Sequence, residues 1–543
     1  MDNISTDILI VGGGLGGIAA ALSALRMNQS VVLVEDSPWL GGQLTAQGVP
    51  PDESPWVDGP GESGGSGGTW TYRKLREGIR AYYRRYYPLT AEASADSNLN
   101  PGAGNVSPLC HEPRVAVSVI DALLAPHLAA GTLKVYLGYR ADGAELDGDR
   151  VTSVAFRSAD GRRLAVGAQY ALDATDLGDL LPLTGAEHAY GAESSRDTGE
   201  PHAVDGDAEP GNQQSFTWCF VVDYRPGEEH VIEKPKDYQF WRDYRPDFWP
   251  DKLLSWTTPD PLSLEPIYRP IFTGPTDDER GSDLWHYRRI LYRKYHESGF
   301  FASDLVLANW PQIDYWLGPL VGVSNAERER HLEGARSLSL SMLHWMQTEA
   351  PRPEGGAGYP GLRLRGDVLG TEGLAMRPYI REGRRLLTKF RILEQHVGLD
   401  ARAGVRGAEQ FPDSVGIGSY RIDLHPSSNG RNYVDISTWP FQIPLGALIP
   451  VRLRNLLPAG KCLGVTHVTN GCYRLHPVEW NVGESAGALA AFCLGRREEP
   501  AAVWESDSLR ADFQSELIRL GIELEWPEAL RLTPREKGDP LGI

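Results

Sequence analysis

Apolar residues at the start of the chain fall into two short runs with a helical stretch between them. Asp7-Ile8-Leu9-Ile10-Val11 is an unbroken aliphatic run, the pattern of a strand buried on both faces of a parallel sheet. Residues 18–26, rich in Ala and Leu, read as a helix, and Val31-Val32-Leu33-Val34-Glu35 is a second buried strand ending on an acid. Farther along, 115–128 reads as a helix and 133–137 as a strand. A strand over 151–157 returns from a hairpin turn at Asp147-Gly148-Asp149. Residues 170–180 form a strand that stops in a tight turn. Residues 74–87 interleave arginines with Tyr82, Tyr83, Tyr86 and Tyr87, which predicts a helix with rings inward and arginines solvated or paired. Ser324-Asn325-Ala326-Glu327 is a capping box opening a helix to about 349, with Leu332, Ala335, Ser339, Met342 and Met346 on one core stripe.

Composition narrows the class. With 543 residues the chain suits several domains or one large discontinuous unit. Its net charge of −18 disfavours nucleic acid and anionic membranes, although a local basic pocket for one anionic ligand stays open. Five cysteines without a C-x-x-C pair speak against a disulfide scaffold, a cysteine zinc ribbon or a dithiol redox centre. The opening residues have no basic n-region, and no apolar run has the length of a membrane span. The expectation is a soluble, cytoplasmic protein with a small-molecule substrate, no metal, no nucleic-acid or membrane partner, and an oligomeric state left open. Residues 54–70, low in aliphatics and crowded with glycine, read as a mobile surface loop, either a lid or a plain insertion.

The chemistry begins at Gly12-Gly13-Gly14-Leu15-Gly16-Gly17, between the first strand and the helix. In this G-x-G-x-x-G spacing, Gly12 permits the turn, Gly14 lets backbone approach a diphosphate and Gly17 lets helix and strand pack closely. The helix N-terminus offers free N–H groups to phosphate. Glu35 would accept hydrogen bonds from ribose hydroxyls. The motif alone leaves FAD and NAD open. After Glu35 and Asp36 comes a second glycine pair, Gly41-Gly42, and then Gln43. Downstream, Asp173-Ala174-Thr175 leads to Gly178-Asp179. The tail carries Ile443-Pro444 … Leu448-Ile449-Pro450, then Asn455-Leu456-Leu457-Pro458-Ala459-Gly460-Lys461-Cys462, and finally Gly483-Glu484-Ser485-Ala486-Gly487.

These segments resemble the FAD-dependent oxidoreductases whose FAD-binding domain is glutathione-reductase-like. The resemblance covers about 1–55, 110–185 and 436–495, and Ser485 stands where a small apolar residue is commoner. It implies an α/β fold with a discontinuous Rossmann-type FAD domain and an inserted α+β substrate or cap domain. The expected division is 1–214 and 436–500 for the FAD domain, 215–435 for the cap, and 501–543 for a helical extension. It further implies that Ala141 meets the adenine, and that Ala174, Thr175 and Asp179 pass beneath the diphosphate arm. Gly460 would sit in the turn after the tail strand. The helix carrying Gly483 and Ala486 would aim its N-terminus at the flavin pyrimidine.

No second G-x-G-x-x-G follows a strand, so a nicotinamide domain is not expected. That favours an oxidase or dehydrogenase moving hydride from a small organic substrate to flavin N5, with oxygen or another acceptor reoxidising it. The alternatives are an NAD(P)H-dependent flavin monooxygenase and a flavin-binding protein without turnover. Arg474 and His476 precede the tail helix. His476 is expected to take a proton, its alternative being a capping role, and Arg474 to hold an anionic substrate or the reduced flavin's charge. His425, His467 and Cys462 are weaker candidates. Cys462 or Cys110 would serve for a covalent flavin, a buried free thiol being the plainer role.

Overall fold

The computed structural model describes residues 2–58, 65–274 and 281–536. Its first core is a seven-stranded sheet. Strand β1 (Asp2–Val11) leads through helix α1 (Leu15–Arg26) to β2 (Val31–Glu35). Helices α2 (Trp70–Tyr86) and α3 (Pro113–Ala129) precede β3 (Leu133–Leu137), β4 (Tyr139–Asp147), β5 (Arg150–Ser158) and β6 (Arg163–Asp173). The spatial order is β3-β2-β1-β6-β5-β4, parallel from β3 to β6 and antiparallel through the hairpin. β1 begins before the apolar run that betrays it, because its early polar residues pair with β6 from Leu164 onward.

The far tail completes this sheet. Leu456–Pro458 runs parallel to the last residues of β6, beyond the point where β5 leaves it. Asn455 fastens the junction: its side chain accepts from the Val151 N–H at 2.8 Å and donates to the carbonyls of Val151 and Gln169. The asparagine of the Asn-Leu-Leu run therefore replaces ladder bonds where three strands meet.

A second core draws mainly on residues 216–433. Strands β7 (Phe220–Tyr224), β8 (Arg289–Leu291), β9 (Leu305–Ala308) and β10 (Leu362–Leu364) form an antiparallel sheet in the order β8-β9-β7-β10. Helix α4 (Asn325–Thr348) opens with the Ser324–Glu327 capping box and buries Ala335, Ser339, Met342 and Met346 among tryptophans. The tail then enters helix α5 (His476–Arg496), with Pro477 in its first turn. It packs on α1 so closely that a Cβ on Gly483 would lie 2.0 Å from the Gly16 carbonyl oxygen.

Two loop and helix expectations need adjustment. The segment expected to be a mobile surface loop starts anchored: Ser54 is buried, and Asp58 pairs with Arg76 and Arg80. Of that segment, 59–64 lie outside the described residues. On α2, Tyr72 and Tyr83 point inward and Tyr86 is exposed, while Arg76 and Arg80 are buried in ion pairs with Glu53 and Asp58. Among the described residues no helix is long and apolar enough to cross a membrane.

Candidate active site

Two cavities meet near the C-terminal ends of the parallel strands. The larger is a cleft with about 1230 Å³ of open space. Its floor is backbone. Gly12 sits at φ +100°, and a Cβ there would lie 2.4 Å from the Ala174 carbonyl, so the fold itself demands glycine. Gly14 is different. A Cβ on Gly14 would meet no protein atom nearer than 3.5 Å, so packing leaves its glycine unexplained, and the open space suits an approaching diphosphate. Gly14 is also the N-cap of α1 and offers no side chain to the first N–H groups, one of which, at Gly16, is met by the buried Glu479 carboxylate.

Glu35 closes one end. Its carboxylate accepts the Gly13 N–H at 2.6 Å and the Ser37 N–H at 2.8 Å. Burial, aided by the neighbouring Asp36 charge, pushes its pKa up to about 8. At the opposite wall Asp173 pins the turn by accepting from the backbone of Thr175 and Leu180 and from the Thr175 hydroxyl.

Of the residues chosen from sequence, Gly12, Gly14, Glu35, Asp36, Gly42, Ala141, Ala174, Thr175 and Asp179 line this cleft. Gly17, Gly41, Gln43, Gly460, Gly483 and Ala486 do not. Gly17 packs on the Gly12 carbonyl, and Gly41 donates to the Gly13 carbonyl at 2.8 Å. Gln43 is buried, donating to the Arg474 carbonyl and to Glu479. Gly460 packs beside Glu479, whose Oε1 would lie 3.5 Å from a Cβ there, and is not among the cleft-lining residues. Gly483 and Ala486 are buried in α5, their small size serving its contact with α1. The motif reading missed the opposite wall, where α4 presents Arg328, Leu332 and Arg336, and Arg336 stacks 4.0 Å over Trp218. Their four-residue spacing was the available signal, but it was absorbed into a core stripe.

A single extended segment separates this cleft from the second cavity. Met376, Arg377, Pro378 and Ile380 face the cleft, whereas Tyr379 and Arg381 face the other side. From 378 to 381 the side chains alternate between the two cavities, and Tyr379 exchanges backbone hydrogen bonds with Thr217 at 2.7 and 3.1 Å. The second cavity has a volume of about 110 Å³. Five arginines line it: Arg269, Arg288, Arg381, Arg421 and Arg474. Asp52, Asp423, Asp435, His425 and four tyrosines share the wall. Arg381 pairs with Asp314 at 3.1 Å, and Asp314 also holds His425 Nδ1 at 2.6 Å. His425 Nε2 lies 3.6 Å from Asp423. Burial opposes ionisation of Asp423, but His425, Arg474 and Arg421 overcome it and hold its carboxyl well below the usual range.

Arg474 lines this cavity; His476 lines neither. His476 is fully buried, and its Nδ1 accepts the Asp52 N–H at 3.0 Å. Burial pushes its pKa well down, so the ring stays neutral. His476 thus tethers the chain at Asp52 on the first turn of α5 through Nδ1, while its Nε2 has no hydrogen-bond partner among the described residues. His467 is likewise engaged inside the protein, on Glu382. Cys110 and Cys462 are free, buried and outside both linings, and burial raises the Cys110 thiol to about 12.

A family model described as FAD dependent oxidoreductase matches residues 7–517. Among solved structures, p-nitrophenol 4-monooxygenase PnpA from Pseudomonas putida DLL-E4 is 12% identical over 98% of this chain and 92% of that one, with a TM-score of 0.34. A geranylgeranyl bacteriochlorophyll reductase-like protein from Thermoplasma acidophilum is 11% identical over 96% and 85%, with a TM-score of 0.30. L-proline dehydrogenase from P. horikoshii is 18% identical over 36% of this chain, with a TM-score of 0.17, and the match spans 26% of that chain's length. No curated protein sequence matches.

Proposed function

Given that the chain belongs to the family of FAD-dependent oxidoreductases, we propose that it oxidises a small organic substrate held in the arginine-lined cavity, with the adenosine and diphosphate of FAD held in the neighbouring cleft. One observation supports this reading: a cleft suited to a dinucleotide and a polar chamber suited to a small molecule border one another at residues 378–381, and the flavin end of the cofactor would reach past this edge to meet the substrate. Bound FAD supplies the hydride acceptor at its N5.

The chain's own residues divide the remaining tasks. The backbone at Gly12 and Gly14 and the other N–H groups at the start of α1 receive the diphosphate. Glu35 accepts the ribose hydroxyls. Ala141 meets the adenine, and Ala174, Thr175 and Asp179 support the arm between. Arg474 holds negative charge at the partition, where it already donates to the Tyr379 hydroxyl at 3.2 Å. His425 is held between two carboxylates, Asp314 on its Nδ1 and Asp423 3.6 Å from its Nε2, and would position the substrate's reacting group. For a secondary alcohol, the C–H would leave with its electron pair as hydride to the flavin, the O–H proton would pass to solvent through the cavity's polar groups, and a carbonyl would form.

Anaerobic mixing of the yellow protein with a metabolite panel tests this, read at the flavin band near ~450 nm. Bleaching by one compound without NAD(P)H is the expected result. Bleaching that requires NAD(P)H would replace it with the monooxygenase reading. A band that no donor changes would leave a flavin-binding protein without turnover.

A further inference from the structure

The arginine cavity is not evenly balanced. Arg381, Arg421 and Arg474 each have a carboxylate partner, Asp314, Asp435 and Asp423. Arg288 does not share that arrangement. It is 8% exposed, its nearest carboxylate is Asp52 at 3.8 Å, and its Nε and Nη1 have no hydrogen-bond partner among the described residues. Arg269 lies beside it, with the Tyr287 ring within cation–π distance of both guanidiniums.

Further residues lining the same cavity carry unmet polar atoms, among them Asp52, whose Oδ1 is buried without a hydrogen-bond partner. Asn309 is 5% exposed and makes no hydrogen bond through either Oδ1 or Nδ2. Gln312 Oε1 and the Tyr433 hydroxyl are also buried without partners. Buried polar groups are ordinarily paired, so donors and acceptors left open around one cavity describe the ligand that pairs them.

Their chemistry is specific. A guanidinium with two free edges fits a carboxylate through two parallel hydrogen bonds. An amide open at both ends, an amide oxygen and a phenol fit hydroxyl groups, which donate and accept at once. Arg269 also has no carboxylate within ion-pair distance among the described residues, so a phosphate is the competing anion that the test must separate. We infer that the substrate is a small carboxylate that also carries several hydroxyl groups, the chemistry of a sugar acid. Its carboxylate lies on Arg288, and its hydroxyls on Asn309, Gln312 and Tyr433. This rests on the reading above that the substrate occupies the arginine cavity.

The test is anaerobic calorimetric titration of the FAD-loaded protein, followed by its flavin spectrum. The probes are D-glucuronate, D-galacturonate and D-gluconate, set against D-glucose, D-galactose and glucose 6-phosphate. At least one acid should bind tenfold or more tightly than its neutral counterpart and than the sugar phosphate. Arg288→Met should remove that preference while the protein still folds and keeps its flavin spectrum, Arg288→Lys should keep part of it, and Asn309→Leu should weaken the acids without abolishing the preference. Equal binding of acids and neutral sugars, tighter binding of the phosphate, binding by none, or an Arg288→Met variant that keeps the preference would each overturn the inference. If the acids bind with the Arg288 dependence but never bleach the flavin, the oxidation reading fails and the ligand class stands. If a neutral compound bleaches the flavin and Arg288→Met is indifferent, the reverse holds.

Discussion

The cleft and the arginine cavity share a wall but are made of different material. The cleft floor is backbone: Gly12, Gly14, the ends of β1 and β6, and the start of α1. The arginine cavity is made of long side chains drawn from segments near residues 52, 269–288, 309–312, 379–381, 420–435 and 474. A backbone site is tied to local geometry, so it leaves a compact mark in the sequence and fails together with the fold. A side-chain site can lose a member while the scaffold stays intact.

The strongest way to press this difference is at α1 and α5, where the backbone side of the contrast is tightest. Gly483→Leu would drive a side chain into the Gly16 carbonyl, 2.0 Å from where its Cβ must sit. Neither backbone can retreat without opening the sheet below, so the expected loss is about 3 kcal/mol or more, enough to prevent recovery of folded yellow protein. Thermal melting of whatever soluble protein forms is the measurement. A variant with unchanged Tm would show that the helices are free to separate, and that the cleft's supports are less rigid than drawn.

The partition belongs to both regions, and its anchor comes next. Glu382, beside Arg381, is buried between His467 at 2.9 Å and Arg385. Burial raises its pKa, but His467 and Arg385 more than reverse that and bring it down from 4.5 to about 2. A depressed carboxylate stabilises the fold above its unfolded value and loses that contribution as pH falls through the folded value. Glu382→Gln should therefore cost about 3 kcal/mol at neutral pH, by stranding Arg385 and His467. The gap from the parent should narrow as pH drops from 4.5 toward 2. Urea unfolding at several acid pH values reads it, and a gap independent of pH would remove the ion pair as the cause.

Gly14→Val separates cofactor from fold. With no protein atom within 3.5 Å of the missing Cβ, the variant should melt close to the parent stripped of FAD. Its FAD affinity should fall about a hundredfold, roughly 2.7 kcal/mol. Flavin fluorescence on titration gives the number. Retained affinity would mean the diphosphate lies elsewhere.

Legibility follows the same division. The strand-turn-helix, Glu35 and the tail strand were readable because close backbone approach requires glycine at fixed spacing and a buried parallel strand requires an aliphatic run. Five of the six residues chosen for the cofactor that lie off the cleft are glycine or alanine, and smallness does not distinguish room for a ligand from room for a helix. Gly14 and Gly483 look alike in sequence, yet one faces open space and the other a carbonyl. Of the cavity's arginines only Arg474 was singled out, since most of the cavity's members come from separate segments. His476 drew attention by its place before α5, whereas His425, which reaches the cavity, was passed over for want of ligand spacing.

The smallest expected effect asks whether a side chain within the backbone site behaves like those of the cavity. Glu35 is the one acid of the cleft whose pKa burial and Asp36 push up to about 8. A raised carboxylate pKa makes the cofactor-free fold lose stability as pH rises from 4.5 toward 8, because ionising the buried group becomes the cost of staying folded. Ribose hydroxyls donating to Glu35 favour the ionised form, so binding FAD expels a proton wherever the group was still protonated. Affinity should therefore climb between roughly pH 6 and pH 8, by at most about tenfold per unit, and level off above. Glu35→Gln keeps an acceptor oxygen but cannot ionise, so its weaker affinity should be flat across the same range. Parallel profiles for parent and variant would mean that the proton comes from elsewhere and that the ribose does not rest on Glu35, leaving Gly14 as the surviving support for the cleft's assignment.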